Sequence, residues 1–253
     1  MRGTNCLAFA FVALALPAAA LTPSPSPAAA PEEDKTGTDP SKFLRTLIVL
    51  NEFRSLGDER IYDEFIYRYI QPIGRVKFQL TLPLDSTDTT GTWQSGFGDL
   101  GLKANYLPKR TSKFALVLNL DSFYPTATKS LFGSGKYVVS PGATFAFFFQ
   151  GGRVIFAPSL QQKFSYAGDA QRDGVNQTLV DTYFVYKPTK TSWIIVDPQF
   201  VQDYEKDVFF NQTEVEYGRL MFAGVSTYVR PGIALGKERP GDWNLEFGVK
   251  VIH

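Results

Sequence analysis

The sequence predicts an all-β fold: a closed antiparallel transmembrane β-barrel of twelve strands, with short periplasmic turns and longer external loops. Three observations lead to this prediction. Apolar and polar residues alternate along many segments, most of these segments have ten residues or more, and short connections alternate with long polar ones. A tilted strand of about 9–11 residues is long enough to cross a bilayer. Short turns at one end and long loops at the other are the outer-membrane arrangement.

Apolar and polar residues alternate strictly in the segment 75–84, which reads RVKFQLTLPL. A period of two gives a strand one apolar and one polar face. Val76 and Phe78 lie on the apolar face, and Lys77 and Gln79 lie on the polar face. We therefore expect the apolar face to contact lipid and the polar face to line a lumen.

Twelve segments are assigned as strands. The first two alternate poorly and are included because a barrel that ends in the periplasm needs an even number of strands. In chain order the predicted strands are 42–53, 61–71, 75–84, 99–107, 114–124, 137–149, 153–166, 177–187, 193–204, 212–222, 225–235 and 242–253.

Aromatic residues lie at the predicted strand ends, as expected for the aromatic girdles of a membrane barrel. A large secreted β-sandwich is the alternative fold, and it would carry fewer aromatic residues there. The two belts therefore favour the barrel. The external ends carry Tyr124, Tyr137, Phe164, Tyr166, Tyr204 and Trp243, and the periplasmic ends carry Tyr106, Phe114, Phe149 and Tyr186.

The N-terminal region has two predicted parts that precede the barrel at 42–253. Residues 1–20 contain Arg2, an apolar run too short to span a bilayer and a small-residue site, so they predict a cleaved signal peptide. A second small-residue site at 28–30 leaves the cleavage position open. Residues 21–41 are rich in Pro, Ala and Ser and predict a disordered tail, which is a candidate to occlude the periplasmic mouth. Together with the predicted barrel, the signal peptide predicts that the mature protein is located in the outer membrane of a Gram-negative bacterium.

The composition argues against several classes of function. The only cysteine, Cys6, lies in the predicted signal peptide, so the mature chain has neither a disulfide nor a thiol nucleophile. Arg2 is one of 26 basic residues, and its removal leaves 25 basic against 25 acidic residues, which gives no reason to bind nucleic acid. The only histidine is His253, at the predicted periplasmic end, which disfavours a Ser-His site. We therefore predict no enzyme and no catalytic, cofactor-binding or metal-binding residue.

Several segments resemble a known family: SGFGDLGLKANYLP (95–108), residues 124–142, residues 164–186 and the C-terminal WNLEFGVKVIH. The more specific pieces are Gly98-Asp99 and the Gly-Ser-Gly-Lys of 133–136. With these segments the chain resembles the outer-membrane transporter family of the meta-pathway of phenol degradation. The resemblance implies a closed barrel and transport of small molecules, including aromatic or hydrophobic ones. Such chains commonly end in an aromatic residue that the barrel-insertion machinery reads, whereas this chain ends in His253.

The polar faces of the predicted strands give the candidate lumen. Six basic and eight acidic residues among them predict a narrow lumen with a weak preference for cations. Alternatively, opposite charges pair and fill the bore, because a buried charge must be neutralised. Asp99 has a further alternative, a turn that opens its strand. The candidates are Arg75, Lys77, Gln79, Asp99, Lys103, Asn119, Asp121, Gln161, Lys163, Asp181, Asp197, Gln199, Asp203, Glu214, Glu216, Arg230, Glu246 and Lys250.

Two classes of function remain open from the sequence. The first is a channel or transporter whose partners are outer-membrane lipid, a small-molecule solute and, through the C-terminal strand, the barrel-insertion machinery. The second is a non-conducting structural or surface-binding barrel that presents loops to a partner. Trp93 in the polar external loop is a candidate anchor for such a partner.

Overall fold

The computed structural model describes residues 36–236 and 239–253. The predicted signal peptide and residues 21–35 of the predicted tail lie outside these ranges. The described residues form thirteen strands and one 3₁₀ turn, Gln150–Gly152. The strands are β1 Thr46–Ser55, β2 Ile61–Ile73, β3 Val76–Thr87, β4 Gln94–Phe97, β5 Leu100–Arg110, β6 Phe114–Tyr124, β7 Lys136–Phe149, β8 Val154–Gly168, β9 Asn176–Tyr186, β10 Ser192–Asp203, β11 Val208–Phe222, β12 Val225–Gly236 and β13 Trp243–Ile252.

Twelve of these strands form a closed antiparallel barrel, which confirms the predicted fold class. Each strand pairs with its neighbours in chain order, and β13 pairs with β1 to complete the ring. The remaining strand, β4, extends the wall beyond the barrel, because β3 pairs with β5 only from Val76 to Thr81 and its last four residues pair with β4. In the described residues no helix has the length and apolar character of a membrane span.

The connections divide the barrel into two ends. At one end, the turn end, short turns at 74–75, 111–113, 150–153, 187–191 and 223–224 join the strands. At the other end, the loop end, the longer connections are 88–99, 125–135 and 169–175, together with the shorter ones 56–60, 204–207 and 237–242. The predicted alternation of short and long connections is confirmed for the three longest loops.

Most strand boundaries agree with the prediction, and three features differ. The first strand begins at Thr46 rather than residue 42, since the preceding residues enter the barrel instead of its wall. The β11 strand begins at Val208, four positions before the predicted start, because its first residues pair with the end of β10. Arg75 lies in the turn after Gly74, whose positive φ of 60° reverses the chain there.

The outward face of the barrel is apolar. On β3, the side chains of Phe78, Leu82 and Leu84 are exposed, as the period-two pattern predicts. Large apolar side chains are also exposed on the outward face of the other strands. Soluble monomeric proteins rarely expose an apolar surface of this extent to water. A closed barrel leaves its backbone groups paired, which is the condition for a strand structure in lipid.

Aromatic side chains form belts near both ends of this face. At the loop end, Tyr137 lies between Tyr124 and Tyr166 on neighbouring strands, with ring centroids 6.2 and 6.1 Å apart. At the turn end, Phe149 and Tyr186 are exposed on the outward face. These belts are the girdles that the sequence predicts.

The inward face is not polar throughout. At the turn end it carries an apolar cluster whose buried members come from six strands, and a smaller one on β1 and β2. The sequence analysis did not predict apolar residues inside the barrel. The buried members of the larger cluster are Ala115, Ala146, Phe148, Ile155, Ala157, Val185, Trp193, Ile195 and Tyr228, and those of the smaller are Ile48, Leu50 and Ile66.

The N-terminal segment, residues 36–43, folds back into the turn end. Thr36 and Ser41 are 1% and 3% exposed. The Asp39 carboxylate lies 3.4 Å from the Arg110 guanidinium, whose Nε also donates to Ser41 Oγ at 2.9 Å. This burial differs from the flexible tail expected over 21–41, because Thr38, Asp39 and Ser41 have hydrogen-bond partners that the sequence pattern does not reveal.

Candidate functional site

The lumen holds most of the residues that the sequence analysis proposed for it. Their side chains alternate with the outward-facing apolar ones and are buried or half-buried. Those that face the lumen are Lys77, Gln79, Lys103, Asn119, Asp121, Gln161, Lys163, Asp181, Asp197, Gln199, Glu214, Glu216, Arg230, Glu246 and Lys250.

Three of the proposed residues lie at the ends of the barrel. Arg75 is exposed in the turn between β2 and β3, since β3 begins one residue later than expected. Asp203 ends β10 at the loop end, where its Oδ1 accepts the backbone N–H of Glu205 at 3.0 Å and so shapes the following turn. Asp99 precedes β5 and accepts the backbone N–H of Ser134 at 2.8 Å. It therefore holds the loop 125–135 rather than lining the lumen.

Toward the turn end, Glu216 is the centre of a fully bonded group. Its Oε1 accepts hydrogen bonds from Trp193 Nε1 at 2.6 Å and from Lys250 Nζ at 3.1 Å. Its Oε2 accepts from Arg230 Nε at 3.1 Å. Glu216 is 1% exposed, so its charge is stable there only because two cations and an indole N–H neutralise and solvate it.

Two aromatic rings pack flat into the same region over glycines of adjacent strands. A Cβ at Gly218 would lie 2.1 Å from the Trp193 ring, and one at Gly248 would lie 2.1 Å from the Tyr228 ring. Lys250 Nζ lies 4.4 Å from the Tyr228 ring centroid. This part of the lumen is therefore filled by aromatic rings and paired charges.

Closer to the loop end, four carboxylates form a row across neighbouring strands. Glu246 of β13 pairs with Glu52 of β1, Glu52 with Glu64 of β2, and Glu64 with Asp85 of β3. Of the four, Glu52 alone has an ion pair with a described residue, Arg54 at 3.0 Å. Glu246 Oε1 and Asp85 Oδ1 are buried without a hydrogen-bond partner. The row thus gives one wall a negative charge that is only partly neutralised.

The sequence analysis missed Glu52, Glu64 and Asp85, although each faces the lumen. The first two lie on strands whose alternation is weak, because the lumen side of those strands also carries Ile48 and Ile66. The signal that could have found them is their register, since Glu64 pairs with Glu52 on one side and with Asp85 on the other.

A second carboxylate pair lies at the middle of the lumen. Asp181 of β9 and Asp197 of β10 are within hydrogen-bonding reach of each other, and Oδ1 of each has no donor. Neither forms an ion pair with a described residue. Lys103 lies close enough to attract Asp181, but it is paired with Asp121 at 3.1 Å.

Two lumenal lysines contact aromatic rings instead of carboxylates. Lys77 Nζ lies 5.0 Å from the Phe43 ring of the N-terminal segment, and Lys163 Nζ lies 5.0 Å from the Phe123 ring. A cation over an aromatic face is attracted by the ring quadrupole. The lumen therefore contains carboxylates and ammonium groups that do not neutralise each other directly.

The titratable side chains of the described residues form no metal-binding group. Within the described ranges, no group of three or more His, Cys, Asp or Glu side chains is placed to hold a metal ion. Outside the lumen, a cleft of about 390 Å³ lies among the loops at the loop end. Its walls include Arg172, Asp173, Asp203 and Lys206, so it is polar and of mixed charge.

The comparisons with known proteins found similarity in structure alone. No family model matches the chain. No curated protein matches it either. Among solved structures, the chain is similar to an outer membrane channel from Pseudomonas putida F1, with 12% identity, a TM-score of 0.69, and 88% of this chain and 100% of the other covered.

Two porins are also similar. The NanC porin has 14% identity and a TM-score of 0.56, with 81% of this chain and 98% of the porin covered. The KdgM porin has 12% identity and a TM-score of 0.54, with the same coverage of both chains. At these identities the likeness supports the fold, a closed barrel of the outer-membrane kind.

Proposed function

We propose that this protein is an outer-membrane channel through which small molecules diffuse along a narrow lumen of mixed charge. The observation that carries the proposal is the set of buried lumenal carboxylate oxygens without partners, on Asp85, Asp181, Asp197 and Glu246. Buried charges are normally neutralised when their only role is structural. Carboxylates left unneutralised along a lumen would instead be solvated by the water and ions that pass.

The solute class follows from the charges and from the resemblance noted in the sequence. An excess of unpaired carboxylates attracts cations, so the lumen would prefer cations weakly. The resemblance to the phenol meta-pathway transporters favours aromatic or hydrophobic solutes among the small molecules carried. We propose neither catalysis nor a cofactor for this site.

The orientation of the barrel in the membrane follows from the lengths of the connections at its two ends. The turn end would face the periplasm and the loop end the exterior, as in outer-membrane barrels. The N-terminal segment would then narrow the periplasmic mouth, since Asp39 and Ser41 bind Arg110 within it. Membrane lipid would surround the outward face, and the barrel-insertion machinery would read the strand that ends near His253.

A non-conducting structural barrel is the second candidate, and one observation favours it. The Glu216 group and the apolar cluster together fill the lumen near the turn end. If this packing leaves no continuous path, the barrel would serve as a scaffold for its loops.

Conductance of the refolded chain in a planar bilayer tests the proposal, with heat-modifiable gel migration to show that the barrel has formed. We compare the chain that begins at residue 21 with one that begins at residue 42. Discrete steps that are larger for the shorter chain would support a channel narrowed by the N-terminal segment. A folded barrel that conducts in neither form would favour the structural alternative.

A further inference from the structure

The loop 125–135 crosses the mouth of the barrel at the loop end. It joins β6 to β7, yet the ring of its Phe132 lies 6.4 Å from the ring of Tyr62, which is on the inward face of β2. Phe132 is 5% exposed, unusual for a phenylalanine at the tip of a long loop. The loop therefore places an aromatic ring inside the mouth instead of extending away from it.

Phe132 also contacts the inward side of β4. A Cβ at Gly96 would lie 3.0 Å from the Phe132 ring, and one at Gly98 would lie 3.2 Å from the Phe132 carbonyl oxygen. The same Cβ at Gly98 would also meet Asp85 Oδ2, at the end of the carboxylate row. Glycine at both positions lets the ring approach the wall, directly next to the first lumenal carboxylate.

One set of contacts fixes the loop to the end of β4 and to Asp99, which lies between β4 and β5. Asp99 Oδ1 accepts the backbone N–H of Ala127 at 3.2 Å, and its Oδ2 accepts the backbone N–H and hydroxyl of Ser134 at 2.8 and 3.1 Å. Thr128 exchanges hydrogen bonds with the backbone of Phe97. Asp99 thus holds both flanks of the segment that carries Phe132.

A second contact comes from the neighbouring loop 169–175. The Arg172 guanidinium donates to the carbonyl oxygens of Ser130 at 2.8 Å and Ser134 at 3.3 Å, and also to that of Gly133. Each of these carbonyls lies within four residues of Phe132. The segment around Phe132 is therefore held by Asp99 on one side and by Arg172 on the other. Both residues are charged, and charge-assisted hydrogen bonds are stronger than neutral ones.

We propose that Phe132 is the size-selecting residue at the external entrance of the lumen, positioned by Asp99 and Arg172. The proposal rests on the proposed channel function and assigns its outer constriction. An apolar ring in a mouth otherwise lined by Tyr62 and Asp85 limits both the width of the opening and its hydration. Solutes that pass the ring meet the carboxylate row next, so size is selected before charge.

The test measures access to the lumen below Phe132, and it does not depend on the turn end being open. A cysteine introduced by Glu64→Cys reports this space, because Glu64 faces the lumen one inward position below Tyr62. The refolded chain that begins at residue 21 lacks Cys6, so the reporter is its only thiol. Two uncharged probes are compared in lipid nanodiscs: N-ethylmaleimide and a larger biotin-linked maleimide.

Phe132→Ala should raise the labelling rate of the larger probe toward that of the smaller, a loss of size discrimination. Asp99→Asn should give a partial loss, since the loop would keep its Arg172 contacts. Phe97→Ala is the matched control, because Phe97 is 59% exposed on the outward side of β4. It should leave the discrimination unchanged. Heat-modifiable migration confirms that each variant is folded.

Unchanged discrimination in Phe132→Ala would overturn the proposal. So would a reporter that neither probe labels even after Phe132→Ala, because the barrier would then lie elsewhere. The labelling test and the conductance test of the channel proposal can fail independently of each other. Labelling that depends on Phe132 in a barrel that does not conduct would retain the outer constriction and reject the channel.

Discussion

The two halves of the lumen differ in how far their buried carboxylates are hydrogen-bonded and neutralised. Near the turn end, both oxygens of Glu216 are bonded and aromatic rings fill the space around it. Near the middle and the loop end, Asp181, Asp197 and Glu246 each keep an oxygen without a donor. Both halves are built from the same alternating strands, so the difference comes from the residues chosen at inward positions.

This contrast suggests how one short barrel can combine stability with passage. A packed, neutralised half supplies the buried contacts that a narrow barrel needs. An incompletely neutralised half can exchange its missing partners with water and solutes. We therefore expect substitutions in the turn-end half to change stability and substitutions in the other half to change selectivity.

The largest effect is expected from Glu216→Gln. It removes the charge that neutralises Arg230 and Lys250, and breaking a buried pair in this way costs about 3–5 kcal/mol. Urea unfolding in lipid vesicles, followed by tryptophan fluorescence, measures the change. Asp58→Asn removes an exposed ion pair with Arg60 and should change the unfolding free energy by less than about 1 kcal/mol. Equal effects of the two substitutions would contradict the contrast.

A smaller loss of stability is expected from Gly218→Ala. The added Cβ would meet the Trp193 ring at 2.1 Å, and overpacking of this kind costs about 1–3 kcal/mol. Gly101→Ala is the matched substitution near the loop end, where the nearest atom would lie 3.3 Å away. The same unfolding measurement should show a clear loss for Gly218→Ala and little for Gly101→Ala. The reverse order would mean that the turn end is the looser half.

Selectivity should respond to the double substitution Asp181→Asn and Asp197→Asn. Each carboxylate attracts a cation at about 4 Å in water by about 1 kcal/mol, so removing both charges should lower the ratio of K⁺ to Cl⁻ permeability by up to about thirtyfold. Reversal potentials in a KCl gradient, recorded with the chain that begins at residue 42, give the ratio. Asp207→Asn, at an exposed loop position, is the control and should leave it unchanged. An unchanged ratio in the double variant would exclude these carboxylates from the path.

The smallest effect is expected from Arg110→Ala. It removes the partner of Asp39, and because the Arg110 side chain is partly exposed the loss should be below about 1 kcal/mol. The N-terminal segment would leave the mouth more often, so single-channel records should show more frequent large steps. Lys109→Ala, at the exposed neighbouring position, should not have this effect. Identical records for both variants would mean that Arg110 does not hold the segment.

The strands from β3 onward, apart from β4, could be predicted because their two faces differ in polarity. Period-two alternation measures that difference, and it assigns residues such as Lys103 and Glu214 to the polar face of their strands. Where the lumen itself is apolar the difference disappears. Ile48 and Ile66 therefore weaken the pattern of β1 and β2, and the filled turn end left no distinct signal.

Contacts between distant segments could not be predicted from the sequence, for a different reason. Asp39 binds Arg110 and Phe132 reaches Tyr62, and neither pair is marked by local periodicity or composition. The composition of residues 21–41 predicts that they form no hydrophobic core, but composition cannot show that a polar segment finds hydrogen bonds inside a barrel. The four-residue strand β4 was missed because it is too short to show alternation.

The seam between β1 and β13 also governs how the chain must fold. Thr46 pairs with Ile252 and Ser55 with Trp243, so the closing contacts join residues roughly 200 positions apart. Until the last strand is in place, both seam strands have an unpaired edge that can bind other chains. Such long-range pairing is slow, because the chain must lose the entropy of loop closure before the stabilising contacts between the two strands can form. A chain that lacks β13 should therefore aggregate instead of forming a smaller barrel.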